Sequence, residues 1–276
     1  MEYLDGINLQ DLVDRFGPQP DGRVAKILEQ LCSSLFEAHS MGLVHRDIKP
    51  ANVMLNRRGG VPDFVKLLDF GLVRAVDEAK RNKYQEGMAG TPLYMSPESI
   101  QTPDSVDARS DLYAVGAVGY FLLTGSPVFL ASSLSELCQL HVDATPPAPS
   151  VRVGRPIAPD LEHAIMACLE KNRAKRPQTA RELSGLIHRI AASDEWTIND
   201  ADAWWGRYER GGTPSIDAIQ SPYRGETIAQ SPRDPRSSSN QTHIGKTAPN
   251  QPSFEQTIDY DRLASNPSNE EDPKNT

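Results

Sequence analysis

Cysteine is scarce: Cys32, Cys138 and Cys168 are the three in 276 residues, odd in number and far apart. They give no disulfide framework and read as reduced thiols of a cytoplasmic protein. Long apolar runs are missing too. None approaches the ~18 residues that a membrane span requires, so no membrane partner is expected. The first residues, MEYLDG, carry acid where a secretory leader carries base, and no leader is expected. Positive charge is short, with 29 Lys and Arg against 37 Asp and Glu for a net charge of −8. No basic stripe offers itself to phosphodiesters, so nucleic acid is not an expected partner. Apolar residues make up 38% of the chain, and the shortfall is concentrated at one end.

Up to residue 192, Leu, Val, Ile and Ala recur at regular spacing, enough to bury a sizeable core. From 193 to 276 the chain turns to Ser, Pro, Asn and Gln and is acidic, with 14 Asp and Glu against 8 Lys and Arg. The expected organisation is a compact unit over 1–192 and a largely disordered tail over 193–276. Within the tail, WTINDADAWWGRYER is the last segment able to pack, over about 196–210, through Trp196, Trp204 and Trp205. The Trp204-Trp205 pair suits either a binding platform or a patch that packs the tail onto the rest, and packing is the expected role.

The periodicity predicts helices over Leu9–Phe16, capped by Asn8, and Arg23–Met41, with Val24, Ile27, Leu28, Leu31 and Leu35 as one buried stripe. It predicts further helices over Asp111–Leu123, apolar all round and therefore central, and over Leu134–His141, Asp160–Glu170 and Thr179–Ala191. The Pro cluster at 146–149 reads as a separator. Short strands are expected at Val53–Leu55 and Val65–Leu68, with Arg57-Arg58-Gly59-Gly60 as a hairpin turn between them. The fold class is mainly α, with two small strand pairs beside the loop that carries the chemistry.

That loop reads HRDIKPAN at 45–52, and Asp69-Phe70-Gly71 follows the hairpin. Asp47 alone could be a turn aspartate capping its own backbone. Lys49 and Asn52 argue otherwise. Together the four residues supply a base for a hydroxyl, a cation for a transferring phosphoryl group, and two oxygen ligands for Mg²⁺ in Asn52 and Asp69. Gly71 permits a backbone swing after Phe70. A lone DFG is a common turn; DFG behind an HRDxxxxN loop and a hairpin is a strong signal.

These segments resemble the C-terminal lobe of eukaryotic-like protein kinases, bacterial members included. In order, MEYLDGINLQDLV is similar to the hinge and first helix of that lobe, GTPLYMSPE at 90–98 to the end of its activation segment, and SDLYAVGAVGYFLLTG at 110–125 to its central helix. KNRAKRP at 171–177 resembles the turn carrying the arginine that pairs with the activation-segment glutamate. The likeness covers about 1–192 and implies a serine/threonine protein kinase that uses ATP and Mg²⁺ on protein substrates. It makes Asp47 the base, Lys49 the phosphate-neutralising lysine, and Asn52 and Asp69 the metal ligands. Met54 would lie under the adenine, and His45 and Phe70 would stack in the hydrophobic spine. Asp111 would anchor the backbone at His45-Arg46, Thr91 would bridge Asp47 and Lys49, and Glu98 and Arg176 would form a buried ion pair. In the family Arg46 binds a phosphorylated loop. Here residues 72–90 hold no Ser or Thr and only Tyr84 as a hydroxyl, so Asp77, Glu78 or Glu86 would serve it instead.

No G-x-G-x-x-G and no strand lysine precede His45, since Lys26 falls in a predicted helix and Lys66 follows the hairpin. The expectation is the C-terminal lobe alone, with the N-terminal lobe missing and this chain inactive by itself. The alternative is a pseudokinase-like binding scaffold, disfavoured because every catalytic residue of that lobe is present. A small-molecule phosphotransferase of the aminoglycoside or choline type would share H-x-D-x-x-x-x-N, but not Lys49, GTPLYMSPE and Arg176. In the tail, Thr197 precedes Asp200 by three residues. That spacing suits a helix cap or, once phosphorylated, a docking site for a phosphothreonine-binding domain. Thr257 in EQTIDYD raises the same docking question, and the unmodified reading is the expected one for both.

Overall fold

The computed structural model describes residues 6–68, 92–191 and 195–211, all within the first of two compact units, residues 1–221. Asp69, Phe70, Gly71 and Thr91, the 72–90 segment and Thr257 lie outside the described residues.

Among the described residues the strands form one antiparallel sheet of order β1-β2-β3: β1 (Gly6–Asn8), β2 (Val53–Arg58) and β3 (Val61–Leu67). The two expected strand pairs are therefore a single sheet, because β2 pairs on both edges, Ile7 opposite Leu55 and Leu55 opposite Val65. Gly59 and Gly60 turn the hairpin, both left-handed at φ 59° and 81°, which suits the twist of the flanking strands. Between Asn56 and Arg58 the register shifts, so Pro62 and Asp63 of β3 together face Arg57 of β2 as a bulge.

Helix α1 (Leu9–Phe16) starts at Asn8, whose side-chain oxygen accepts the Asp11 N–H at 2.8 Å. Helix α2 (Asp21–Ser40) begins ahead of the predicted Arg23, because Pro20 can precede a helix and Asp21 suits its positive end. The predicted stripe of Val24, Ile27, Leu28, Leu31 and Leu35 is buried. After the described gap come a 3₁₀ turn at Pro92–Tyr94 and α3 (Pro97–Gln101), capped by Ser96. The central helix α4 (Ala108–Thr124) also starts before its apolar run, capped by Asp107 through the Arg109 N–H at 2.9 Å. Its residues Ser110–Leu123 are buried, as an all-round apolar helix requires.

Then follow α5 (Leu134–Asp143), α6 (Pro149–Val153), α7 (Pro159–Cys168) and α8 (Ala180–Ala191). The Pro cluster does more than separate: Pro149 opens α6 at a first-turn position that needs no N–H. Helix α2 packs along α8, against α4 and against β3, while α4 packs on α7. The chain closes with α9 (Ile198–Glu209), whose Thr197 and Asp200 form a reciprocal capping box. Trp196, Trp204 and Trp205 are all buried, so this segment packs onto α2 and β3 through its aromatics. No helix among the described residues is long and apolar enough to cross a membrane.

Candidate active site

The loop between α2 and β2 is held by one carboxylate from α4. Asp111, buried, accepts the His45 N–H at 2.8 Å and the Arg46 N–H at 2.9 Å, one on each oxygen. The oxygen facing His45 also accepts from His39 Nε2 at 2.8 Å. Arg46 is in the left-handed region at φ 66°, a conformation that costs a non-glycine residue roughly 1–3 kcal/mol. Its bond to Asp111 opposes that cost. The side chain of Arg46 is exposed.

His45 is buried and ties the loop to the sheet. Its Nε2 donates to the Leu68 carbonyl at 2.9 Å, while its Nδ1 lies 3.3 Å from the donating Asp47 N–H. The Leu68 N–H in turn donates to the Asn52 carbonyl at 2.8 Å. Both backbone polar groups of Leu68, the residue before Asp69, are thus bonded to the loop. A 3₁₀ turn over Pro50–Asn52, closed by Asn52 N–H to Lys49 O at 2.9 Å, brings Asn52 back under Asp47.

The residues expected to do chemistry meet there. Lys49 Nζ donates to Asp47 Oδ2 at 3.0 Å, and Asn52 Nδ2 donates to the same oxygen at 2.9 Å and to the Asp47 carbonyl at 2.8 Å. Asp47 and Lys49 are part-exposed and Asn52 is buried. With its nitrogen committed to Asp47, Asn52 offers its amide oxygen, a hard neutral donor of the kind Mg²⁺ takes beside a carboxylate, phosphates and water. Among the described residues no group of three or more His, Cys, Asp and Glu could hold a metal alone. Met54, half-buried in the middle strand, is flanked by Asn8 and Lys66.

A second fixed point lies beyond the undescribed segment. Arg176 binds Glu98 in a two-pronged pair, Nη1 to Oε1 at 2.7 Å and Nη2 to Oε2 at 2.8 Å, with the arginine 2% exposed. Ser110 Oγ donates to Glu98 Oε1 at 2.6 Å, and the Arg176 donors also reach the carbonyls of Arg109, Glu170 and Lys171. Burial alone would raise the Glu98 carboxyl; the Arg176 and Ser110 hydrogen bonds outweigh it and lower it to about 2. This pair ties α3 to the start of α4 and to the 170–176 turn.

Nearby, Tyr113 OH and His141 Nδ1 lie 2.8 Å apart, and Lys171 Nζ donates to the His141 carbonyl at 2.8 Å. Burial, then the Lys171 charge, push His141 down to about 4; burial, then the Arg176 charge, push Lys171 down to about 8. The sequence reading missed His39 and Ser110 as partners of Asp111 and Glu98. Their adjacency to those carboxylates depends on helix packing, which no local pattern announces.

The chain belongs to the protein kinase family: the family model described as "Protein kinase domain" matches residues 1–185. It is 38% identical over 190 residues to the serine/threonine-protein kinase PknB of Mycobacterium leprae (strain TN), covering 69% of this chain and 30% of that protein. It is 41% identical over 196 residues to the serine/threonine-protein kinase pkn3 of Myxococcus xanthus, covering 69% of this chain and 35% of that protein. The chain thus spans about a third of these relatives' length. The fold is similar to the crystal structure of the Rad53 kinase domain and SCD2 in complex with AMPPNP, with a TM-score of 0.56 at 24% identity, covering 70% of this chain and 68% of that one.

Proposed function

We infer that this chain carries the catalytic loop of a protein serine/threonine kinase that transfers the γ-phosphate of ATP to protein hydroxyls. The observation that carries the reading is the convergence of Lys49 and Asn52 on Asp47 Oδ2, inside a frame fixed by Asp111 and Leu68. Asp47, part-exposed, orients and accepts the substrate hydroxyl's proton through its other oxygen, Oδ1. Lys49 has its ammonium beside the same carboxylate, where it neutralises the phosphoryl group in transit. Asn52, with Asp69, would hold Mg²⁺, which would supply positive charge to offset that of the phosphates. Positioning and charge stabilisation do most of the work, which suits a loop tied at this many points.

The relatives' names support the substrate class, and Lys49 in the HRDIKPAN loop resembles the lysine of the serine/threonine-specific class. A membrane-free, ATP-using role on proteins in the cytoplasm is the corresponding proposal for place and partners.

The test separates two roles in the full-length protein. Asp47→Ala should cut kcat by about a hundredfold or more with little change in ATP affinity. Asp69→Ala should weaken Mg²⁺-nucleotide binding itself. Equal losses of nucleotide affinity in both variants would contradict this division. Residues 1–276 alone, whose sequence holds no glycine-rich loop ahead of His45, should transfer phosphate negligibly.

A further inference from the structure

The match to the kinase family ends at residue 185, yet the packing does not. Segment 195–211 closes on a charge cluster that no kinase motif announced. Its centre is Asp63, 6% exposed, in the β3 bulge at φ 52°. Four N–H groups converge on its two oxygens. Arg23 donates Nη2 to Oδ1 at 2.7 Å and Nε to Oδ2 at 3.0 Å. The indole of Trp205 donates to Oδ1 at 2.8 Å and that of Trp196 to Oδ2 at 2.9 Å. Each oxygen thus takes one bond from Arg23 and one from the C-terminal segment.

Arg23 is itself fully buried, its guanidinium 4.1 Å from the Trp204 ring centroid and 4.8 Å from that of Trp196. A buried guanidinium held between aromatic faces and a two-pronged carboxylate is a charge fully compensated. The approach of the segment is built into α2: a Cβ on Gly22 would lie 2.8 Å from Glu195 Cβ and 2.9 Å from the Trp196 nitrogen. Lys26 donates to the Trp196 carbonyl. On the neighbouring strand, Arg57 pairs with Asp202 and Glu209 of α9.

The bulge has consequences five residues beyond Asp63, at Leu68. A one-residue slip of a strand moves every side chain to the opposite face, so whatever fixes the bulge fixes the rest of β3. Gln30 of α2 supports the same stretch, donating to the Asp63 carbonyl at 2.9 Å and accepting the Val65 N–H at 3.1 Å. The strand then delivers Leu68 to His45 and Asn52.

We propose that residues 195–211 are a positioning element of the catalytic loop. Trp196 and Trp205, acting through Asp63 and Arg23, lock the β3 bulge and so the placement of Leu68 between His45 and Asn52. The functional weight of this rests on the kinase reading; the mechanical claim does not.

The test is amide hydrogen exchange on the 276-residue chain, parent against Trp205→Phe and Trp196→Phe. Each variant keeps a ring and removes one indole donor to a charged acceptor. Exchange across 61–68 should rise about ten- to a hundredfold, with the 110–123 amides of α4 unchanged. A rise confined to 195–211 would overturn the proposal. Should either variant fail to fold, Arg57→Ala, at the partly exposed ion pairs, gives the same readout with a smaller rise, and no change at 61–68 would again count against it. In the full-length protein Trp205→Phe should lower kcat with a smaller effect on the KM for protein substrate. A full-length parent protein without transferase activity would sink the kinase reading and leave the exchange result on the 276-residue chain to decide the proposal alone.

Discussion

Two buried aspartates organise this unit, and they do so in opposite ways. Among the described residues, the two non-glycine positions with positive φ are Arg46, bound to the first of these carboxylates, and Asp63, which carries the second. Asp111 holds Arg46 from outside, by accepting consecutive backbone N–H groups of the loop and one histidine. Asp63 is strained itself, and side chains from α2 and the C-terminal segment hold it. The first arrangement rests mostly on backbone donors, which most substitutions leave in place. The second rests on side-chain donors, from one arginine and two tryptophans, which a substitution removes. One strained backbone is secured by backbone amides on a single carboxylate 65 positions from Arg46; the other depends on side chains 40, 133 and 142 positions away.

The largest effect should come from stranding a buried charge. Asp63→Ala leaves Arg23 without its carboxylate and two indoles without an acceptor; Arg176→Ala leaves Glu98 without its arginine. Each should cost roughly 3–5 kcal/mol of stability. Urea midpoints check it. The comparison sharpens if Asp63→Ala also speeds exchange at 61–68 while Arg176→Ala does not, and it breaks if both variants unfold the same regions first.

The acid limb should give a smaller effect of definite sign. His141 titrates at about 4 in the fold against 6.5 in the unfolded chain, so its neutral form favours the fold. That contribution is fully present above pH 6.5 and is lost as pH falls toward 4, in all about 3 kcal/mol. Glu98 adds a loss of the same sign lower down, complete only as pH falls through about 2. Stability measured from pH 7 to 4 should therefore fall more steeply in the parent than in His141→Gln. Equal slopes would mean that burial of His141 does not govern this range.

How much of this was legible follows the same division. The HRDIKPAN loop, α1, the α2 stripe and the all-round apolar α4 could be read because each is a local pattern. The resemblance also named the Glu98–Arg176 pair and the Asp111 anchor, now seen at hydrogen-bond distance. Starts of α2 and α4 were read late because their first turns are polar, and the caps rather than the apolar period mark them. Packing of the Trp204-Trp205 pair could be expected from hydrophobicity alone. The Asp63 cluster could not be read: a lone aspartate after Pro62 looks like a turn residue, and nothing local joins it to Arg23 or Trp196. Thr197 is engaged in a capping box with Asp200, which is the unmodified reading of that site.

The proposed role of Asp47 as the base of a phosphoryl transfer can be tested by one substitution with little disturbance of shape. Asp47→Asn in the full-length protein keeps an oxygen for the Lys49 and Asn52 donors and removes the charge and the basic site. Transfer of phosphate from ATP to serine or threonine of a protein substrate should fall by about 10²–10⁴-fold, with exchange at Leu68 unchanged. Transfer at the parent rate by a normally folded Asp47→Asn protein would contradict the account.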